Sequence, residues 1–318
     1  MLDLAVPVTG HAPEEDLFVR LQIQPARRGE NRFSVLVTGA DRAPLPEPAP
    51  LVGLGFVNLG QETATETIET QPDGAGGYTA TGTQLGDDGW WRIEATIQRE
   101  GQPDMVSQFY LLLPDPNLDG SDAVPVPASS PEAMAVYERG RAAFTSLHRM
   151  RSREVMSDGM RNGLISEHAV SDGTDGRPPS RYVTTARSSL IQIGEREWIR
   201  VGDEPWIERT SQPINPPSEW DHEWAGATGF QLGRVEEVGG ERARIVTFYV
   251  PTAPRLAAAW YAFWVGEETG HLHRTAMISR SHYMVDDYSG FDAPLLIEPP
   301  IMAGAPSTPA AAETATPA

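Results

Sequence analysis

The chain of 318 residues contains no cysteine. Disulfides, thiolate metal sites and a cysteine nucleophile are therefore excluded, and several classes of enzyme with them. Long apolar runs are lacking as well, since no stretch reaches the roughly 18 to 20 residues that a membrane-spanning helix needs. The sequence thus predicts no transmembrane helix.

Positive charge is scarce. The 25 basic residues are outnumbered by 44 acidic ones, and the net charge is −19. Nucleic acids and anionic membrane surfaces are bound through clustered basic side chains, so we predict no nucleic-acid partner. Cations are the natural small partners of such a chain, although a surface charged for solubility has the same composition.

Targeting signals are also missing, because residues 1–10 have no basic segment and too short an apolar stretch for a signal peptide. Taken alone, this predicts a cytoplasmic protein. The absent cysteine, the 28 prolines and the small-residue tail after Ala303 instead favour an extracytoplasmic β-rich protein. We therefore predict a periplasmic or cell-surface location, with membrane attachment through a segment or N-terminal membrane domain outside this sequence.

Residues 16–114 have the pattern of an immunoglobulin-like β-sandwich, preceded by a flexible tail over 1–15. About seven short strand-like runs are separated by turn signals, as that fold requires. Phe33, Val35 and Val37 alternate with polar residues, which indicates one buried face.

A different pattern follows residues 115–130, whose prolines, glycines and small polar residues predict an interdomain linker. Helical spacing of apolar residues after Ser130 and Pro131 predicts a helix over 131–150. Many strand-like runs then continue to residue 300, so we predict an α+β domain over 131–300, an antiparallel half-barrel packed on the helix. Residues 301–318 are predicted to be disordered.

Two family resemblances are visible. The segments GENRFSV at 29–35, GYTATG at 77–82 and GWWRIE at 89–94 resemble the YtkA-like immunoglobulin-fold domain of bacterial copper-transport membrane proteins. This resemblance implies copper handling and a membrane-protein partner. That family often carries methionines, sometimes with histidine, in the segment corresponding to residues 58–68, where this chain has neither.

The second half resembles the LolA-like and mycobacterial lipoprotein half-barrels that shelter acyl chains. The features that match are the opening helix with RSRE at 151–154, the segments ending in Trp198 and Trp206, and the hairpin WVGEETG at 264–270. This resemblance implies an apolar, lipid-like ligand.

An apolar ligand needs a pocket of aromatic and aliphatic side chains. Six of the eight tryptophans lie in the second domain, and a plain aromatic core is the alternative explanation for them. The residues predicted to line a hollow closed by the helix are Trp198, Trp206, Trp260, Trp264, Ala143 and Leu147.

A metal site is the second candidate. His271 and His273 are two apart on a predicted strand and so project to one side. With Met277 and His282 they offer nitrogen and sulfur ligands, and copper is the cofactor that this set would imply. Two ordinary solvent-facing histidines are the alternative.

No motif of a nucleophile with its base, a zinc protease or a nucleotide-binding loop occurs in the sequence. The adjacent acids Asp286 and Asp287 would point to opposite faces of a strand and make a poor acid/base pair. We therefore predict that the protein is not an enzyme but an extracytoplasmic binding module of a copper-handling or envelope system, holding an acyl-type ligand in the half-barrel. The alternatives are a periplasmic copper-binding chaperone and a structural interaction module without ligand.

Overall fold

The structure is a computed structural model. It describes residues 1–10, 15–47, 49, 51–74, 76–115, 125–157, 163–174, 176–253, 257–279 and 282–302, without the side chains of 218 and 221–223. Among these residues, no helix combines the length and apolarity needed to cross a bilayer.

Two antiparallel sheets form the N-terminal part and pack face to face. Their strands are β1 (Leu2–Val8), β2 (Leu17–Gln24), β3 (Asn31–Gly39), β4 (Leu51–Asn58), β5 (Glu66–Glu69), β6 (Gln71–Pro72), β7 (Gly77–Gly82), β8 (Gly89–Gln98) and β9 (Met105–Leu113). One sheet has the order β1-β2-β3-β7-β6 and the other β5-β4-β8-β9. Phe33 and Phe56 meet edge to face between the sheets, with ring centroids 5.0 Å apart. This N-terminal part is called the sandwich below.

A single eleven-stranded antiparallel sheet forms the C-terminal part, with the order β15-β14-β13-β12-β11-β10-β20-β19-β18-β17-β16. Its strands are β10 (Arg149–Ser157), β11 (Gly163–Ser171), β12 (Ser180–Thr185), β13 (Ser188–Ile193), β14 (Arg196–Val201), β15 (Ile207–Thr210), β16 (Thr228–Val238), β17 (Glu241–Val250), β18 (Ala259–Gly266), β19 (Leu272–Ser279) and β20 (His282–Ser289). The hairpin recognised at 264–270 corresponds to the turn that joins β18 to β19. Consecutive strands pair as hairpins across most of the sheet, and β20 returns to lie beside β10.

Helix α1 (Pro131–Thr145) begins where the sequence predicts, because the Ser130 hydroxyl accepts a hydrogen bond from Ala133 N (3.4 Å) and proline occupies the first turn. It ends one turn earlier than predicted. Leu147 and Met150 are buried in the same core as the helix, so their spacing imitates a helical stripe. A 3-10 helix (Pro217–Trp224) packs beside α1.

The large sheet has two differently covered faces. Tyr261 and Phe263 of β18 belong to the core beneath α1, whereas Trp260 and Trp264 of the same strand belong to a core shared with the sandwich. This follows from the two-residue period of a strand. We call the first side the helix face and the second the sandwich face.

One hydrophobic core therefore spans the sandwich and the large sheet. Tyr110 of β9 packs edge to face on Trp264 at 5.5 Å, and its backbone N–H donates to the Tyr283 hydroxyl (3.1 Å). Gly233 allows the two parts to approach, since a Cβ there would lie 2.4 Å from the backbone oxygen of Leu59. The covered half of the sheet is thus buried on both faces.

Residues 1–15 do not form the flexible tail predicted for them over their described part. Leu2–Val8 is a strand, paired in full register with β2 from Leu2 opposite Ile23 to Val8 opposite Leu17. The alternating apolar residues Leu4 and Val6 are buried, which is the reason this segment orders. The predicted linker over 115–130 falls largely on residues 116–124, outside the described residues. The predicted disordered tail over 301–318 also lies outside them, except for residues 301 and 302.

Candidate functional site

The space beneath α1 is filled by aromatic side chains. Tyr137 packs against Phe248 and Phe263 at 4.9 and 5.9 Å between ring centroids, and Phe144 packs against Trp224 at 5.5 Å. Contacts at these separations are those of a close-packed aromatic core. The helix thus covers a packed core, and Leu147 belongs to that core while Ala143 is half-buried.

The structure does not bring the four predicted tryptophans together around a hollow. Trp260 and Trp264 lie on the sandwich face, opposite the helix. Trp198 is directly paired with Ile191, and this cross-strand row continues through Tyr182, Ala169 and Arg151. The side chains of this row do not lie on the helix face.

An arginine side chain, and not an open cavity, lies against the ring of each of Trp198 and Trp206. The Arg196 guanidinium lies 4.8 Å above the Trp198 ring, and that of Arg200 lies 4.9 Å above Trp206. For Trp198 the strand period decides the face, because residues two apart on a strand project to the same side. The sequence alone did not show which set faces the helix.

The part of the helix face beyond α1 carries an apolar row that the sequence analysis missed. Cross-strand pairing aligns Val183 of β12, Leu190 of β13, Ile199 of β14 and Ile207 of β15 side by side. Ile207 is 68% exposed, and the other three are half-buried. We call these four residues the aliphatic row.

Register places the aliphatic row on the helix face. His168 is paired with Val183, and Ser152 is paired with both His168 and Tyr288. Tyr288 in turn meets Phe144 of α1 edge to face at 5.2 Å. Val201, 59% exposed, lies on the same face two residues from Ile199. Local alternation does not identify this surface, because Leu190 is followed by Ile191 and Ile199 is preceded by Trp198.

A polar cluster adjoins the aliphatic row. The Ser166 hydroxyl donates to Glu154 Oε2 (3.0 Å), and His168 Nε2 lies 2.9 Å from that hydroxyl and 3.2 Å from Glu154 Oε2. Burial would raise the pKa of Glu154, but the bonds from His168 and Ser166 outweigh it and hold that pKa below its ordinary value. The helix face thus offers an apolar surface that ends at hydrogen-bonding groups.

The predicted metal ligands do not converge. The rings of His271 and His273 lie 6.3 Å apart, and the His271 ring stacks on Phe291 at 4.3 Å. His282 starts β20 opposite the last residue of β19, so it lies about 20 Å along the strands from His273. Met277 is buried in the core beneath α1. Over the described part of the chain, no three His, Cys, Asp or Glu side chains are grouped so as to hold a metal ion.

His273 is instead held by a carboxylate. Its Nε2 lies 2.9 Å from Glu241 Oε2, and Glu241 also accepts hydrogen bonds from the backbone of Glu268 and Thr269 and from the Thr269 hydroxyl. Burial would raise the pKa of Glu241, but these hydrogen bonds outweigh it and lower the pKa to about 2. Glu241 of β17 therefore holds the β18–β19 turn in place through these hydrogen bonds.

This carboxylate makes stability depend on acid pH. Because its pKa is lower in the folded chain than the ordinary 4.5, its contribution is full above that value and is lost as pH falls toward 2. We expect the melting temperature of Glu241→Gln to fall less steeply than that of the unmodified chain over this interval. Melting curves between pH 5 and about pH 2 measure it, with exposed Glu138→Gln as control. Parallel curves for the unmodified and Glu241→Gln chains would contradict the assignment.

Comparison with known proteins gives only partial likenesses. No family model matches the chain, and no curated protein matches it. Among solved structures, the lipoprotein LppX of Mycobacterium tuberculosis is 14% identical, with a TM-score of 0.41 over 54% of this chain and 100% of its own. LprF from Mycobacterium bovis is 13% identical, with a TM-score of 0.44 over 54% and 99%.

A LolA superfamily protein from Nitrosomonas europaea is 11% identical, with a TM-score of 0.22 over 49% of this chain and 91% of its own. Likenesses of this size do not establish a family for the chain. The comparisons give no support to the YtkA-like resemblance or to a role in copper transport. The immunoglobulin-like assignment of the sandwich stays a prediction.

Proposed function

We propose that the protein is a non-catalytic, extracytoplasmic module that binds an acyl-type ligand on the uncovered half of the helix face. The aliphatic row carries this proposal. Contiguous exposed apolar surface is unfavourable in water and marks a site for an apolar partner. The LolA-like pattern in the sequence supports the same class of ligand and an extracytoplasmic location.

The dimensions of the aliphatic row suit a chain-like ligand. Neighbouring strands are about 4.8 Å apart, so the row from Val183 to Ile207 is about 14 Å long. An acyl chain lying across the strands would cover all four side chains. Its polar end would meet His168, which is the next residue of the same cross-strand row and whose side chain is 30% exposed.

The test is binding of palmitic acid, measured by displacement of an apolar fluorescent dye. We expect saturable binding by the unmodified protein. Ile207→Glu combined with Val201→Glu should weaken it by at least about tenfold, since tenfold corresponds to only 1.4 kcal/mol and each substitution removes aliphatic contact area. Both side chains are more than half exposed, so the fold should persist.

A matched control is Val106→Glu, which places the same charge on a 47% exposed aliphatic position of the sandwich. This variant should bind palmitic acid like the unmodified protein. Equal affinity in the double variant and in the control would locate the ligand elsewhere. No binding of palmitic acid by the unmodified protein would favour a structural module without ligand.

A further inference from the structure

A second concave region lies away from the aliphatic row, around the turn between β16 and β17. Three adjoining cavities of about 440, 600 and 610 Å³ all include Gly239 in their walls. Cavities of this size match those that hold small ligands. We call the first of them, which lies between this turn and strands β10–β12, β19 and β20, the arginine cavity.

The arginine cavity is rich in positive charge within an acidic protein. Arg151 and Arg153 of β10 and Arg274 of β19 line it, against Glu167 and Asp287. Arg274 is paired with Asp287 at 2.6 Å. Glu167 is exposed and has no ion pair among the described residues. Two guanidinium groups, those of Arg151 and Arg153, are thus left for a ligand.

Neither of these two arginines has an ionic partner in the part of the chain that the structure describes. Arg153 donates one hydrogen bond to the Thr9 hydroxyl (3.3 Å), and Arg151 lies with its methylene groups over Gly290. Guanidinium groups bind carboxylate and phosphate oxygens in bidentate pairs, which is the strongest use of such donors. The ligand chemistry that they favour is an oxyanion.

His273 adds a second, independent requirement. The residue is 5% exposed and lines the arginine cavity, and its Nδ1 has no hydrogen-bond partner among the described residues. Glu241 is ionised at neutral pH, so its carboxylate can only accept hydrogen bonds. The proton in the bond between the two residues is therefore on His273 Nε2. Nδ1 is then the ring nitrogen left without a hydrogen-bond partner, which is costly when buried.

The backbone of Gly239 lies close to this nitrogen. A Cβ on Gly239 would lie 2.6 Å from His273 Nδ1, and the backbone there has a φ of +64°, which glycine adopts without strain. A side chain at this position would close the wall beside Nδ1. The neighbouring residue, Gly240, also has a positive φ, of +81°.

We propose that the arginine cavity binds a hydroxylated organic anion with the chemistry of a glycerophosphate. Arg151 and Arg153 hold the oxyanion, and a ligand hydroxyl forms a hydrogen bond with His273 Nδ1. This site lies on other residues than the aliphatic row and does not depend on the acyl ligand. The anion comes either from a free phosphate ester or from a phospholipid headgroup.

The experiment is a calorimetric titration of the full chain with glycerol 1-phosphate. We expect saturable binding that weakens at least about tenfold in Arg151→Gln, since a hydrogen bond to a charged group contributes this much or more. Arg151 is exposed, so its replacement should leave the fold intact. Arg200→Gln is the matched control, because this exposed arginine stacks on Trp206 outside the cavity.

Two further experiments test the parts of the proposal separately. Inorganic phosphate should bind more weakly than glycerol 1-phosphate, and equal affinities would overturn the role of His273. Sedimentation with phosphatidylglycerol vesicles, compared with phosphatidylcholine vesicles, identifies the source. Binding to phosphatidylglycerol vesicles that is reduced in Arg151→Gln supports a lipid headgroup. If glycerol 1-phosphate binds but the phosphatidylglycerol vesicles do not, the ligand is a free ester. No saturable binding of glycerol 1-phosphate, or equal binding by both arginine variants, would overturn the site.

Discussion

Replacing Trp264 with alanine is expected to destabilise the sandwich and the large sheet together, by about 3–5 kcal/mol. The indole is fully buried, packs on Tyr110 of β9 and donates from Nε1 to Glu236 Oε2 (2.9 Å). Its removal leaves a cavity at the junction and takes away one of the two hydrogen bonds that Glu236 Oε2 accepts. Because one core spans the two parts, denaturant unfolding followed by circular dichroism should shift as one transition.

The matched control is Trp206→Ala, which removes the same side chain from a half-buried position against Arg200. This variant should lose less than about 1 kcal/mol, as is usual for positions away from a packed core. Two separate transitions in Trp264→Ala, of which only one moves, would show that the sandwich and the sheet fold independently. In that case the junction would be a contact between autonomous domains.

Arg92→Met is expected to cost about 3 kcal/mol because it leaves a buried carboxylate without its main partner. Arg92 binds Glu236 at 2.6 Å, with their side chains 13% and 10% exposed, and this pair joins β8 of the sandwich to β16. In a Glu236→Gln background the buried Glu236 carboxylate is absent. The same Arg92→Met change should then cost at least about 1 kcal/mol less, as a double-mutant cycle measures.

The exposed pair Arg196 and Glu208 serves as the control cycle. Their side chains are 65% and 40% exposed, so the effect of Arg196→Met on stability should be the same with Glu208 and with Glu208→Gln. An equal cost of Arg92→Met with and without the Glu236 carboxylate would mean that the buried pair does not couple the two parts. The cost would then come from lost packing of the arginine chain.

Local patterns predicted helix α1, the sandwich strands after Leu17 and the hairpin of β18 and β19. Each depends on signals within a few residues, such as the Ser130 cap, the alternation of Phe33, Val35 and Val37, and the turn before Leu272. Leu2–Val8 was missed although Leu4 and Val6 alternate along it, because its pairing with β2 is a tertiary contact. The end of α1 was misplaced because Leu147 and Met150, although apolar at helical spacing, are buried in the core after the helix has ended.

The candidate sites show the same limit more sharply. The sequence by itself determined that the second half is an antiparallel sheet rich in tryptophan, because alternation and turns are local properties. Only the tertiary structure decided that Trp260 and Trp264 face the sandwich, that the aliphatic row lies open on the helix face, and that His273 adjoins Gly239. Which of two alternating faces is covered depends on what packs there, and that partner is distant along the chain.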